Sequence, residues 1–176
     1  MKNFKVFLAL IAIGIFFVAC NEENNLKSSV ATKCKYELTV SVADEAIDQK
    51  QIITTVVTFP NYDGEIQTQD ISNAKTWKTT QELPILTLPA EGVITIKQSL
   101  KDGVDFSQKK EYQVGLSYRF VVFSMDSDDN IIDITDREET LYSTIPVENI
   151  NKVYPDTTTI KFFVDAKGVV SIKENN

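Results

Sequence analysis

The sequence predicts an all-β fold, an immunoglobulin-like or Greek-key β-sandwich of about seven to nine strands. Three observations support this prediction: apolar and polar residues alternate in short runs, turn-forming residues separate the runs, and no stretch beyond residue 20 keeps a helical period. A small lipocalin-like β-barrel is the alternative, because barrel strands also point every second side chain inward. Uneven strand lengths and long connections favour the sandwich.

The first half of the chain after residue 34 contains several predicted strands. Lys35 to Val42 alternates apolar with polar residues, which predicts a strand with one buried face. Gln51 to Phe59 is rich in Ile, Val and Thr and stops at a cluster of turn formers, so it is the second strand. Residues 65–71 and 77–81 are polar and Thr-rich, and we expect short edge strands or loops there.

A hairpin and two helical turns are predicted next. Residues 85–88 and 93–98 flank Pro89-Ala90-Glu91-Gly92, which has the spacing and composition of a hairpin turn. Residues 100–110 and 147–152 could each hold a helical turn.

Glu111 to Met125 is the strongest predicted strand. Its alternation begins on one face and ends apolar on both, which is typical of a central strand. Residues 126–130 turn the chain into a partner strand that begins at Ile131. Residues 141–147 form a separate short run whose proline suits a sheet edge. Residues 158–164 and 169–173 are predicted to form a C-terminal hairpin.

The N-terminus has the layout of a secretory signal. Lys2 and Lys5 precede an apolar run from Phe7 to Val18, which is shorter than the roughly 20 residues that span a membrane. The run closes with Phe17-Val18-Ala19-Cys20, which resembles the lipobox of bacterial lipoproteins, although Phe17 stands where that family usually has Leu. The resemblance implies cleavage before Cys20 and attachment of lipid, such as palmitate, to that cysteine.

These features predict three segments: a lipoprotein signal peptide at residues 1–19, a lipidated flexible tether at 20–33 in which nothing is buried, and one domain at 34–176. Polar residues dominate the tether. Its acidic pair Glu22-Glu23 resembles the surface-export signal of some Gram-negative lipoproteins, but a plain solvated linker would have the same composition. We therefore expect an outer-membrane lipoprotein, periplasmic or surface-exposed.

Composition excludes several classes of function. The chain carries 18 Lys and Arg against 25 Asp and Glu, and loss of Lys2 and Lys5 moves the formal charge from −7 to −9. Nucleic acid is therefore not an expected partner, since phosphate contacts need clustered basic residues. The chain has no histidine, which excludes Ser-His-Asp catalysis and histidine zinc sites. If Cys20 is lipidated, Cys34 has no partner within the chain, so we expect a free thiol at a strand edge or an intermolecular disulfide.

The turn after the central strand contains a candidate calcium site. Asp126, Asp128, Asn130 and Asp133 place oxygen ligands at spacings that calcium loops use. Ile131 and Arg137 stand where such a loop requires Gly and a bidentate Glu. The same residues also form ordinary hairpin turns, and both interpretations stay open.

Two further candidate surfaces come from aromatic and acidic residues. Trp77, Tyr62, Tyr142 and Tyr154 have polar surroundings, and exposed aromatic rings there could stack on sugars; buried rings with polar tips are the alternative. Acidic neighbours, namely Asp44-Glu45, Asp63 with Glu65, Asp136 and Glu138-Glu139, could supply a glycosidase pair, although an acidic composition alone produces such neighbours.

The run from Tyr118 to Asp133, a Tyr-led apolar strand that enters an acidic turn, is similar to a hairpin of fimbrillin-like surface lipoproteins. The resemblance implies an adhesin, a pilus part or an accessory protein. We therefore expect a non-enzymatic, lipid-anchored envelope protein without a cofactor, apart from the candidate calcium, that binds a protein or glycan. A barrel that carries an apolar ligand is the alternative, and a carboxylate-dependent hydrolase is the third.

Overall fold

The computed structural model describes residues 30–175 of the chain. Nine strands and two short helices follow one another: β1 (Lys33–Val42), α1 (Gln49–Ile52), β2 (Ile53–Pro60), β3 (Ile66–Asp70), β4 (Thr76–Pro84), β5 (Ala90–Leu100), β6 (Glu111–Met125), β7 (Ile131–Pro146), α2 (Ile150–Val153), β8 (Asp156–Val164) and β9 (Val170–Asn175). Short 3₁₀ turns occupy Phe106–Gln108 and Val147–Asn149, so both predicted helical turns are confirmed.

The strands form two antiparallel sheets that pack as a β-sandwich, as predicted. One sheet has four strands in the order β4-β1-β6-β7, and the other has five in the order β3-β2-β5-β8-β9. Neighbours such as β1 and β6 are far apart in sequence, so the connections cross between the sheets as the Greek-key prediction requires. The barrel alternative is wrong, because each sheet ends in edge strands and does not close on itself.

The predicted hairpin around residues 89–92 is wrong. Residues 85–89 form a loop, and β5 begins at Ala90 in the sheet opposite β4. Gly92 lies inside β5, where a Cβ atom would come within 2.1 Å of the Phe162 ring. The glycine therefore makes room for an aromatic side chain and does not form a turn.

The hairpin of β6 and β7 dominates the four-stranded sheet. β6 spans Glu111–Met125, as predicted, and lies inside the sheet between β1 and β7. The separate strand predicted at residues 141–147 is wrong, because residues 141–146 continue the 16-residue β7 and Val147 begins a 3₁₀ turn. β7 is an edge strand, as its proline indicated. The C-terminal hairpin is also confirmed: its strands are β8 and β9, and Gly168 in the turn has a φ of +83°.

Three aromatic rings fill the centre of the larger apolar cluster, which we call the main core. The Tyr36, Phe120 and Phe162 ring centroids lie 5.5 to 5.7 Å apart. The rings are almost fully buried, and the residues around them come from strands of both sheets. Burial of this kind is the main source of stability in a sandwich.

A smaller apolar cluster lies towards one end of the sandwich, and we call it the distal core. It contains Ile52, Ile53, Tyr112, Val114, Ile145, Ile150 and Tyr154. A layer of buried polar side chains separates it from the main core on the five-stranded sheet. In this layer Thr55 of β2 pairs with Gln98 of β5, and Thr158 lies on the adjacent β8. The amide nitrogen of Gln98 has no hydrogen-bond partner among residues 30–175.

Strand directions define two poles of the sandwich. The chain enters β1 at the N-terminal pole, which also carries the connections at 61–65, 85–89, 126–130 and 165–169. The distal pole carries the connections at 43–52, 71–75, 101–110 and 147–155. The N-terminal pole begins before the predicted domain boundary: Ala31 is buried and Thr32 N donates to Met125 O at 2.9 Å. The prediction that nothing in residues 20–33 is buried is therefore wrong at Ala31.

The two long sides of the sandwich differ. On one side β7 and β9 are joined: Val170 N donates to the Asp133 carboxylate at 2.8 Å, and Thr135 Oγ1 donates to Val170 O at 3.1 Å. On the other side the edge strands are β3 and β4, and every residue of β3 is exposed. This side therefore presents backbone groups that a further strand could pair with.

Candidate functional site

An open groove of about 300 Å³ lies at the distal pole. It is lined by Val42, Ala43, Asp44, Ala46, Ile47, Lys50, Gln51 and Lys75. Ile47 leaves 64% of its surface exposed, and Lys75 Nζ lies 3.5 Å from the Asp44 carboxylate. The groove thus combines an exposed apolar side chain with exposed charges, which is a suitable composition for binding another molecule.

A buried carboxylate fixes the loop that forms the groove. Asp48 is 2% exposed, accepts a hydrogen bond from Gln113 N at 2.9 Å and forms an ion pair with Lys109. Its own N–H donates to Gln113 O at 3.0 Å. A buried carboxylate with a backbone donor and a cation is well compensated. Asp48 therefore fastens the loop to β6 and holds Ile47 outward.

Gln49 fastens the same loop one residue further on. Its Oε1 accepts from Gly115 N at 3.0 Å, and Ala43 N donates to Gly115 O at 3.2 Å. Gly115 has no space for a side chain, since a Cβ atom there would lie 2.3 Å from Leu141 O. The groove loop thus rests on a tightly packed point of the β6–β7 pair.

The predicted calcium residues have different partners in the structure. Asp126 Oδ1 accepts hydrogen bonds from Asp128 N and from Asn130 N, each at 2.9 Å. Hydrogen bonds of this kind are ordinary in turns that begin with Asp. Asp133 instead accepts from Val170 on β9. Across residues 30–175 no group of three or more His, Cys, Asp or Glu side chains is arranged to hold a metal ion. Calcium at Asp126, Asp128, Asn130 and Asp133 stays a prediction, which melting in calcium and in chelator would test.

The four candidate aromatic residues do not share one surface. Tyr154 is buried in the distal core, so the alternative of a buried ring holds for this residue; burial raises the pKa of its hydroxyl to about 12. Trp77 is half-buried, with its ring 5.5 Å from Phe59. Tyr62 and Tyr142 are exposed, the first at the N-terminal pole and the second on the edge strand β7.

Three of the predicted acidic residues form ion pairs or hydrogen bonds with other side chains. Arg119 holds Asp136 through its guanidinium and lowers the pKa of that carboxyl. Tyr118 Oη donates to Glu139 at 3.0 Å. Asp44 pairs with Lys75 beside the groove. Asp44, Asp136 and Glu139 thus each have a partner at the protein surface.

The structure describes one of the two cysteines, Cys34. Cys34 lies in β1 with its side chain 3% exposed, and burial raises the pKa of its thiol to about 12. Its thiol is free, as one of the two predictions for it states, but it faces the main core and not a strand edge. Cys20, together with the signal peptide and most of the tether, lies outside the described residues.

Sequence reasoning missed the groove. Its loop contains α1, which is too short to give a helical period, and no local signal shows which connections meet at one pole. No protein-family model and no curated protein sequence matches this chain. Among residues 30–175, no helix is both long and apolar enough to cross a membrane.

Proposed function

We propose that this protein is a lipid-anchored β-sandwich of the cell envelope that binds a partner at its distal pole and catalyses no reaction. One observation carries the proposal: the groove lies at the pole opposite the one where the chain enters the domain. β1, with 10 residues, separates the two poles by about 33 Å. An anchor at Cys20 would therefore leave the groove facing away from the membrane.

The groove lining favours a protein partner over a glycan. Its large exposed apolar side chain is the aliphatic Ile47, and Lys50 and Lys75 also line it, whereas sugar binding uses aromatic rings. A protein segment with an apolar side chain next to acidic residues would match this surface. The carrier alternative required a barrel with an internal cavity. The sandwich instead has an interior filled by aromatic rings.

The anchor is tested by the fate of Cys20. Cells are fed radiolabelled palmitate, and the Cys20→Ala variant serves as the control. We expect label in the natural protein and none in the variant, which should also leave the membrane fraction. Surface protease treatment of intact cells then separates a periplasmic from an outward-facing protein. Membrane sedimentation of Cys20→Ala would contradict the anchor.

The groove is tested by photo-crosslinking in cells. A photoreactive residue at Ile47 should give discrete crosslinked bands, and Lys50→Glu with Lys75→Glu should remove them by reversing the charge of the rim. The matched control is the same probe at Val93, which is 40% exposed on β5. Identical bands from both positions, or bands that survive the charge reversal, would contradict binding at the groove.

A further inference from the structure

Several large apolar side chains are exposed at the N-terminal pole, and four of them lie on segments near the point where the chain enters β1. Leu86 is 90% exposed, Val30 63%, Ile131 58% and Val169 50%. We call these four residues the apolar tips. Exposed apolar residues scattered one by one need no explanation, but a set at one end of a molecule indicates a contact surface.

The segments that carry the apolar tips touch one another. Thr32 N donates to Met125 O at 2.9 Å, and Ile85 N donates to Thr32 O at 2.8 Å. These bonds bring the neighbours of Val30, Leu86 and Ile131 together. A Cβ placed on Gly168, next to Val169, would lie 3.3 Å from Ala31 Cβ. The segments that carry the apolar tips therefore meet at one junction.

The charges of this pole oppose contact with an anionic partner. Acidic residues outnumber lysines in its turns, which opposes contact with an anionic surface. Several of the carboxylates are turned back onto their own loops. Asp165 Oδ1 accepts from Val169 N at 2.9 Å, Asp126 Oδ1 accepts from Asn130 N, and Asp129 pairs with Lys33. Their charge is thereby partly compensated at the rim of the apolar tips.

We propose that the apolar tips dock on the surface of a zwitterionic lipid bilayer and set the orientation of the domain. The proposal uses the proposed function in one respect, namely that the tether leads to a membrane. Residues 20–29 span at most about 35 Å and join the domain at Val30, so this pole is the part held nearest the anchor. The tips lie on four separate chain segments at this pole.

The test uses a protein of residues 20–176 with Cys20→Ser, which keeps every strand of both sheets and carries no lipid. Co-sedimentation with phosphatidylcholine vesicles should show binding that does not change with salt. Leu86→Ser should lower the partition coefficient about tenfold by removing apolar area from the contact. Ile47→Ser is the matched control, because Ile47 is 64% exposed at the distal pole, and should leave the partition unchanged.

Orientation is read from a fluorophore on an introduced cysteine. A dye on Leu86→Cys should shift to the blue on vesicles and be quenched by nitroxide lipids, whereas a dye on Ile47→Cys should not. Cys34 does not compete for the dye, because it is buried.

Three results would overturn the proposal. These are no binding to millimolar phosphatidylcholine, equal quenching at both positions, or tighter binding to phosphatidylglycerol vesicles than to neutral ones. Self-association without vesicles that Leu86→Ser abolishes would instead identify a second copy as the occupant. Because the test protein has no lipid, its failure concerns the apolar tips alone, and failure of palmitate labelling concerns the anchor alone.

Discussion

Strand residues build almost all of the main core, whereas connections supply much of the distal core. Ile52, Ile150 and Tyr154 of the distal core lie in short helices or loops, and its loop is fastened by the buried Asp48 and Gln49. The main core depends on ring packing across two sheets. The difference implies that the distal pole can loosen locally while the main core stays folded, because regions held by few apolar contacts open first.

The largest expected effect is in the main core. Phe120→Ala should lower the free energy of unfolding by about 3–5 kcal/mol, since the fully buried ring contacts both Tyr36 and Phe162. Urea unfolding measures the loss, and thiol labelling of Cys34 reports opening of the main core. Tyr142→Ala, at a 43% exposed position, is the control and should change stability by less than about 0.5 kcal/mol. A similar loss in both variants would contradict the assignment of the main core.

The second effect separates the two cores. Asp48→Ala should cost about 2–4 kcal/mol, because it leaves the Gln113 N–H without its side-chain acceptor and Lys109 without its partner. Hydrogen exchange should accelerate in residues 43–52 and leave the β1 amides protected. Asp44→Ala removes only an exposed ion pair and should cost less than about 1 kcal/mol. Uniform acceleration along the chain would mean that the cores do not open separately.

The third expected effect is an increase in the free energy of unfolding. Gln98 is 5% exposed, and its amide nitrogen has no partner within residues 30–175. Gln98→Met keeps the volume and removes the unpaired polar group, so it should stabilise the protein by about 1 kcal/mol. It would also join the two cores into one cooperative unit. Thermal melting checks the stability, and Gln113→Met, outside the polar layer, is the control. If Gln98→Met destabilises the protein, the Gln98 amide forms hydrogen bonds that the substitution removes.

The smallest effect is the response of the distal pole to acid. Asp105 accepts hydrogen bonds from Ser107 and Gln108, which lower the pKa of its carboxyl from 3.8 to about 2. A lowered pKa in the folded state stabilises the protein above pH 3.8, and this contribution disappears as the pH falls towards 2. Asp105→Asn should therefore reduce the acid sensitivity of the residues around Phe106. Hydrogen exchange at pH 5 and at pH 2.5, measured in the natural protein and in Asp105→Asn, tests this. If exchange changes between the two pH values by the same amount in both proteins, the prediction is contradicted.

The sequence predicted β6 because apolar and polar residues alternate over a long run. Each residue of Glu111–Met125 therefore indicates independently which face of the strand is buried. Prediction failed where one residue has two possible roles. Gly92 suits a turn as well as a packing gap, and only the position of Phe162 decides between them. Asp136 to Glu139 interrupt the apolar pattern of β7 although the strand continues, because an edge strand leaves them in water.

The candidate site was harder to predict than the fold. Asp48 and Gln49 look like ordinary surface residues in sequence, and their burial follows only from contacts with Gln113 and Gly115, more than sixty positions away. Ile47, Lys50 and Lys75 meet because two connections, 43–52 and 71–75, lie at the same pole. Local composition contains neither fact.

The exposed strand β3 bears on how densely copies of this protein can be crowded. A lipid anchor would concentrate the molecules in two dimensions, where bare sheet edges can join into ribbons. β3 has only five residues and ends in Asp70, and the other edge on that side, β4, carries Lys78 and Glu82 and stops at Pro84. Short length, charge and proline all oppose edge-to-edge growth, so a crowded layer of this protein should stay free of aggregates.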